Sequence, residues 1–399
     1  MPHASAEHHD SDAPHAQGTF HAPAITGVEL LLVSLPFSAG RRHGPGHESV
    51  DAFNASSQAF TRMESLMVRV ATADGRSGWG EAFGHKVNPA SWAALEELVG
   101  PFALGRSAAP ATVHRAAERA FHAFGRTGPV HYALSALDTA LWDLAAQRAG
   151  VPLRRLVDPA ARDRIGAYAS LVHYGEDPVE VAHHVGRARA AGFGAFKLHE
   201  STPAAVAAAR EAAGPAAPLM VDVNCRWDEA GAAQALRDFA PSGIAWLEEP
   251  VFPPDDAAAL ARLNRAHGRI SAGENASGEF GLVAAMEAGA LAVAQPSVGK
   301  IGGITSLLRV VEAGRRLGVD VVPHCFYYGP ALAATAQLVA TLPEHVRLEV
   351  PFLDWPERLH ALHGAGPEIA LPDAPGLGFT PDEDVLARHL VRRRTVASG

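Results

Sequence analysis

Three carboxylates recur at an even step along this 399-residue chain: Asp222, Glu248 and Glu274 lie 26 residues apart. His199 precedes the first by 23, and His324 and Glu349 follow the last at intervals of 50 and 25. One strand, one helix and two loops of a parallel β/α repeat occupy about that length, at roughly 250 residues for eight units. Each group therefore belongs at the C-terminal mouth of its own strand, facing one cavity. Three acids that converge there cannot remain bare anions, so a cation must join them. With oxygen ligands only and no His or Cys among the three, a hard ion is favoured. Mg²⁺, its remaining positions given to water and substrate, is the expected occupant. Three solvated strand-end acids are the structural alternative.

Lysine usage is also informative. Of the 34 basic residues only Lys86, Lys197 and Lys300 are lysines. These are the positions where a shiftable ammonium, which arginine does not provide, would be needed. Lys197-Leu198-His199 places a lysine and a histidine on the same side of a strand, both facing inward. An imidazole with an unperturbed pKa near 6.5 is neutral at pH 7 and can accept a proton. A packed core histidine is the alternative at 199, and a salt-bridged strand end the alternative at 349.

Elements that position such groups are legible on either side. From Ile25 the pattern is strands and long loops: Val28 to Leu35, a Gly/Arg/His-rich stretch Ser38 to Glu48, Glu64 to Ala73, an Asp74-Gly75 turn, and Gly78 to Ala82. The Asp-Gly pair between apolar runs marks a hairpin. Helical periodicity then runs through Ala133 to Asp143 and ends near Gly150-Val151-Pro152. From about Arg164, short apolar strands alternate with Ala-rich helices: Gly166–Leu171, Ala195–His199, Leu219–Asn224, Ile244–Glu248, Ile270–Glu274, Ala292–Gln295, Val319–His324 and Val346–Val350. This predicts an α/β fold, a (β/α)8 TIM-type barrel with an N-terminal α+β capping domain. The expected division is a His-rich disordered tail (1–24), the capping domain (25–155), the barrel (156–370) and a C-terminal segment returning to the cap (371–399).

Composition narrows the partners. A net charge of −9 argues against nucleic acid, and no run of 18 apolar residues suggests a membrane span. Two cysteines, Cys225 and Cys325, cannot build a disulfide framework, so a cytoplasmic protein is expected. The expected partner is a small carboxylate, with a homo-oligomer as the assembly.

In order and spacing, a set of segments resembles the mandelate racemase/muconate-lactonizing branch of the enolase superfamily from Ile25 to about Arg388. They are Leu219-Met-Val-Asp-Val-Asn224, Trp246-Leu-Glu-Glu-Pro250, Gly273-Glu-Asn275, Lys300-Ile-Gly-Gly303, Pro323-His324, Arg347-Leu-Glu349, Ala140-Leu-Trp-Asp143 and Pro375-Gly-Leu-Gly378. The resemblance implies Asp222, Glu248 and Glu274 as metal ligands, Glu249 as an acid beside them, and Lys300 as a brace. His199 becomes the base, with histidine where the family more often has lysine, and Lys197 its electrostatic partner. His324 becomes the opposite base or general acid, and Glu349 a protonated carboxyl that donates to the substrate carboxylate. Asn224, Arg41, His43 and Lys86 are expected near the substrate, with Arg42 and His47 in the same basic loop. Cys225 and Cys325 are expected to pack away from the site.

One departure bears on the reaction. Relatives support the histidine of Pro323-His324 with an aspartate, whereas here the element is Gln295-Pro296-Ser297. Ser297 cannot hold an imidazolium as a carboxylate does. With one face fully equipped, dehydration of a sugar acid to a 2-keto-3-deoxy acid is favoured. A racemase, epimerase or cycloisomerase is the alternative, and a catalytically lapsed metal-dependent ligand-binding protein the rival from another class.

Overall fold

The computed structural model describes residues 22–42 and 61–397, with the side chain of His85 excepted. Three apolar runs become β1 (Ile25–Pro36), β2 (Arg62–Thr72) and β3 (Ser77–Ala82), paired antiparallel. At the Asp-Gly turn Gly75 adopts φ 81° and its N–H donates to the Thr72 carbonyl at 2.9 Å. Alternation along β1 sends Leu30 into the core of the cap and Leu31 into the core shared with the barrel.

The helix Pro129–Ala149 lies directly on β3 and stops at Gly150, whose left-handed conformation ends helices without a Cβ penalty. It buries Ala136, Leu137, Ala140, Leu141 and Leu144. Each buried leucine contributes about 1.5–3 kcal/mol. The close approach requires glycine in the strand, because a Cβ at Gly78 or Gly80 would overlap the carbonyl oxygens of Ala140 and Ala136.

Eight parallel strands follow: β4 (Arg164–Ser170), β5 (Phe196–Leu198), β6 (Leu219–Asp222), β7 (Leu247–Glu248), β8 (Ile270–Ala272), β9 (Val293–Ala294), β10 (Asp320–Val321) and β11 (Leu348–Pro351). They pair in sequence order, and β11 returns to lie beside β4, curling the sheet round. Among the described residues no ladder joins β10 to β11. The Cys325 N–H crosses that seam to Glu349 Oε2 at 2.8 Å. β12 (Glu368–Ala370) adds antiparallel to β4, and β13 (Leu390–Ala397) pairs with β1.

The paired strands are shorter than the apolar runs suggest. At the mouth the chain bends out of the ladder: Asn224, Cys225 and Glu249 have φ of 46°, 64° and 47°. His199, Glu274 and His324 also sit just beyond their strands. At the N-terminus, residues 1–21 of the expected tail lie outside the described residues. Residues 22–24 are docked instead of loose, since Ala108 N–H donates to the Pro23 carbonyl at 2.9 Å and Ala24 bridges Ser107. Among the described residues no helix is long and apolar enough to cross a membrane.

Candidate active site

Register sets which side chains meet. β6 and β7 place Asp222 opposite Glu248, and Glu248 is opposite Ser271 of β8, so one inward face carries both acids. Lys197 of β5 rises among them. Its Nζ lies 3.3 Å from Asp222 Oδ2, 3.2 Å from Glu248 Oε1 and 2.7 Å from Glu349 Oε1. Burial opposes its charge, but the carboxylates of Glu248, Glu349 and Asp222 hold its pKa well above the ordinary lysine value. That pairing favours the charged form of Lys197.

His199 presents a defined tautomer. Its Nδ1 bonds the Leu171 carbonyl, which can only accept, so Nδ1 carries the proton and Nε2 is left with a lone pair when the ring is neutral. Nε2 faces Asp222 Oδ2 at 3.4 Å, and the ring keeps 15% exposure at the mouth.

On the other side His324 Nε2 lies 3.2 Å from Glu274 Oε2, while its Nδ1 is buried with no hydrogen-bond partner. Burial pushes its pKa below the ordinary value, outweighing the neighbouring carboxylates of Glu274 and Glu349. Ser297 meets His324 through a backbone bridge only; its Oγ bonds the Tyr327 hydroxyl at 2.6 Å.

Lys300 braces Glu274: its Nζ is 3.2 Å from Glu274 Oε2 and 3.1 Å from Asn275 Oδ1, over the Phe83 ring at 4.2 Å. Glu249 accepts from Asn275 Nδ2 at 2.9 Å and the Gly273 N–H at 3.2 Å.

Glu349, Cys225 and the basic loop each have identified partners. At Glu349 burial favours the neutral form, while the Lys197 ammonium, His324 and the Cys325 N–H act the other way and hold its pKa below the ordinary range. Cys225 does not pack away from the site, since its left-handed backbone turns the thiol onto Glu249 Oε2 at 3.1 Å. Arg41 and Arg42 anchor their loop to the barrel, Arg41 on the His173 carbonyl at 2.6 Å and Arg42 on Glu180 at 2.8 Å. Asn224 stands at the mouth, its N–H on Asp222 Oδ1 at 3.1 Å, and Lys86 is exposed in the turn His85–Val87. His43 and His47 lie outside the described residues.

Sequence reasoning missed Gln295, whose Nε2 donates to Glu248 Oε2 at 3.0 Å, and Trp246, whose Nε1 reaches the same oxygen at 3.3 Å. Both flank recognised motifs, which was the available signal. It also missed His173, Glu176 and Glu200, whose ligand atoms all lie within 4.8 Å of one another. That cluster has a cation-site outline but not the chemistry. Glu176 already accepts from the N–H groups of Ser201 and Thr202, and Glu200 from those of Tyr174 and Glu176.

A divalent ion fits the main cluster better. Asp222, Glu248, Glu249, Glu274 and Glu349 are all buried or nearly so, and among the described residues the ammonium groups paired with this cluster are those of Lys197 and Lys300, beside the imidazoles of His199 and His324. The excess negative charge shows in Glu248, whose pKa burial and then Asp222 push well above the usual carboxylate range. Asp222, Glu248 and Glu274, hard oxygen donors from adjacent strands, are the residues able to hold it.

The same chain order matches known families across both domains. Residues 180–385 fit the enolase C-terminal domain-like model, and residues 46–157 the mandelate racemase/muconate lactonizing enzyme N-terminal domain. The chain belongs to the mandelate racemase/muconate lactonizing enzyme family of the enolase superfamily. It is 30% identical to a D-galactarolactone cycloisomerase of Agrobacterium fabrum over 379 residues, 88% of this chain and 98% of that one. It is 29% identical to a D-galactonate dehydratase of Ralstonia nicotianae over 345 residues, 80% and 89% of the two chains. Among solved structures, an L-talarate dehydratase from Polaromonas sp. JS666 complexed with Mg and L-glucarate superposes with a TM-score of 0.75 at 25% identity, covering 95% of this chain and 100% of that one.

Proposed function

We propose that this family member is a Mg²⁺-dependent sugar-acid dehydratase, converting an aldonic or aldaric acid to a 2-keto-3-deoxy acid. The observation that carries the reading is the inequality of the two faces. His199 is locked by Leu171 with Nε2 directed into the carboxylate cluster, whereas His324 has an unpartnered Nδ1 and a neighbour, Ser297, committed to Tyr327. A racemase needs competent bases on both faces; a dehydratase needs one base and one acid.

His199 Nε2 takes the α-proton, and the C–H electron pair moves toward the carboxylate as an enolate. Lys197, fixed as a cation beside Glu349, stabilises the developing charge. A divalent ion held by Asp222, Glu248 and Glu274 would supply further electrostatic stabilisation to the substrate carboxylate. The β C–O bond then breaks, the leaving hydroxide takes a proton from the charged form of His324 and departs as water, and the enol becomes the 2-keto acid. The sugar-acid relatives support this substrate class.

Cycloisomerisation is the second reading, favoured by the 30% identity to a D-galactarolactone cycloisomerase. Incubating a panel of aldonic acids, aldaric acids and their lactones with the protein and Mg²⁺ tests both. A 2-keto acid from a β-hydroxy acid supports dehydration. Conversion of lactones alone overturns it. A cytoplasmic homo-oligomer belongs to the same proposal, supported by two free cysteines and by the exposed rings of Phe124, Phe252 and Phe280; sedimentation of the native protein tests the assembly.

A further inference from the structure

The loop after β4 and the loop after β5 hold each other by a reciprocal exchange of hydrogen bonds. Glu200 accepts the N–H of Tyr174 and, at 2.8 Å, the N–H of Glu176. Glu176 in return accepts the N–H groups of Ser201 at 2.9 Å and Thr202 at 3.0 Å, with the Thr202 hydroxyl at 3.0 Å. Glu176 is held at φ 60°, a conformation a non-glycine residue keeps only where its surroundings impose it.

His199 lies inside this exchange. Its side-chain Nδ1 donates to Leu171 at the start of the first loop, and its main-chain carbonyl accepts from His173 Nδ1 at 2.8 Å. His173 Nδ1 also lies 3.2 Å from Glu200 Oε2. Both of its neighbours are acceptors, so that nitrogen must carry a proton. Side chain and backbone of His199 are thus tied to one loop at two points, and Arg41 of the capping domain grips the same loop through the His173 carbonyl at 2.6 Å.

We propose that His173 and Glu200 are positioning residues for the base: the His173–Glu200 pair fixes the strand end so that His199 is held on Leu171 as the Nδ1–H tautomer, with Nε2 aimed into the site. Neither side chain contacts Asp222, Glu248 or Glu274 in the contacts described above. The proposal rests on the reading of His199 as the base, and its test includes a readout that needs no substrate.

The test compares His173→Leu, which removes the N–H donor, His173→Asn, which restores one, and Glu200→Gln, which keeps the shape. In protein labelled with ¹⁵N-histidine, the His199 ring is assigned by its loss in His199→Asn, and its tautomer is read from one-bond and two-bond ¹H–¹⁵N couplings. The wild type is expected to show the Nδ1–H form. His173→Leu and Glu200→Gln are expected to mix the tautomers, and His173→Asn to recover the native one. With any turned-over acid, kcat should fall about 10- to 100-fold in the first two variants with KM within about twofold, as for displacement of a reacting group by about 1 Å. A wild-type Nε2–H tautomer, or variants with native tautomer and native kcat, overturns the proposal. A native-like tautomer pattern in a protein that exchanges no α-proton instead refutes the assignment of His199 as base.

Discussion

Replacing Asp138 by Asn should change how stability depends on pH. Asp138 sits on the helix Pro129–Ala149, buried at 1% exposure, and accepts the Thr305 N–H at 2.8 Å and the Thr305 hydroxyl at 2.6 Å at the head of the barrel helix Ile304–Leu317. No cation pairs with it in these contacts. Burial raises its pKa to about 7, with the Thr305 bonds working in the opposite direction. In the unfolded chain an aspartate titrates near about 3.9. The folded state therefore binds this proton more tightly, and the stability it confers is complete below about pH 4 and is lost as pH rises toward 7. Between pH 4.5 and pH 8 a change of about 2.5 units in that balance corresponds to about 3 kcal/mol. Asp138→Asn has nothing to titrate. Glu81, raised by burial to about 7, and Asp143, to about 6, titrate in both proteins and cancel in the difference. Urea unfolding of both proteins at the two pH values should show the wild type losing about 3 kcal/mol relative to the variant on going to pH 8. A relative loss below about 1 kcal/mol would refute the assignment of an unpaired buried carboxyl at this seam.

Glu248→Gln should lower divalent-ion affinity and abolish turnover while retaining the fold, checked by titration calorimetry with Mg²⁺ and by circular dichroism; full turnover after verified removal of metal would contradict it. His199→Asn should eliminate α-proton exchange in D₂O, whereas His324→Asn should leave exchange measurable and impair loss of the β-hydroxyl. Because burial lowers the His324 pKa, its charged form is lost as pH rises through a value below 6.5, so dehydration should decline on that limb. A flat profile from pH 5 to 7 would mean that another group protonates the leaving hydroxyl. Ser297→Asp alone should leave that limb in place, because the new carboxylate meets the Tyr327 hydroxyl; combined with Tyr327→Phe it should move the limb to higher pH.

A step of about 25 residues, doubled once where β9 intervenes, was enough to place Asp222, Glu248, Glu274, His324 and Glu349 at the ends of separate strands, because a βα unit has a nearly constant length and each strand has an inward face. Lysine scarcity drew attention to Lys197 and Lys300 as shiftable ammonium groups, whereas in the structure neighbouring carboxylates outweigh burial and favour the charged form of both. Apolar periodicity likewise marked β1 to β3 and the helix Pro129–Ala149 before any contact was known. It overextended the strands at the mouth, since the left-handed bends at Asn224, Cys225 and Glu249 leave no mark in apolar periodicity.

Charge state and partnership were decided only in three dimensions. Against the effect of burial, Lys197, 152 positions away in the chain, comes to 2.7 Å from Glu349 and draws its pKa below the ordinary range, and the Ser297 hydroxyl is taken by that of Tyr327. The exchange between Glu176 and Glu200 joins two loops that look like ordinary polar connections when read separately. The pairing of β13 with β1 joins the two ends of the described chain. Periodicity reports which face a residue takes within its own element, whereas the identity of its neighbour depends on how elements distant in sequence pack, and in a buried site it is the neighbour that sets the proton.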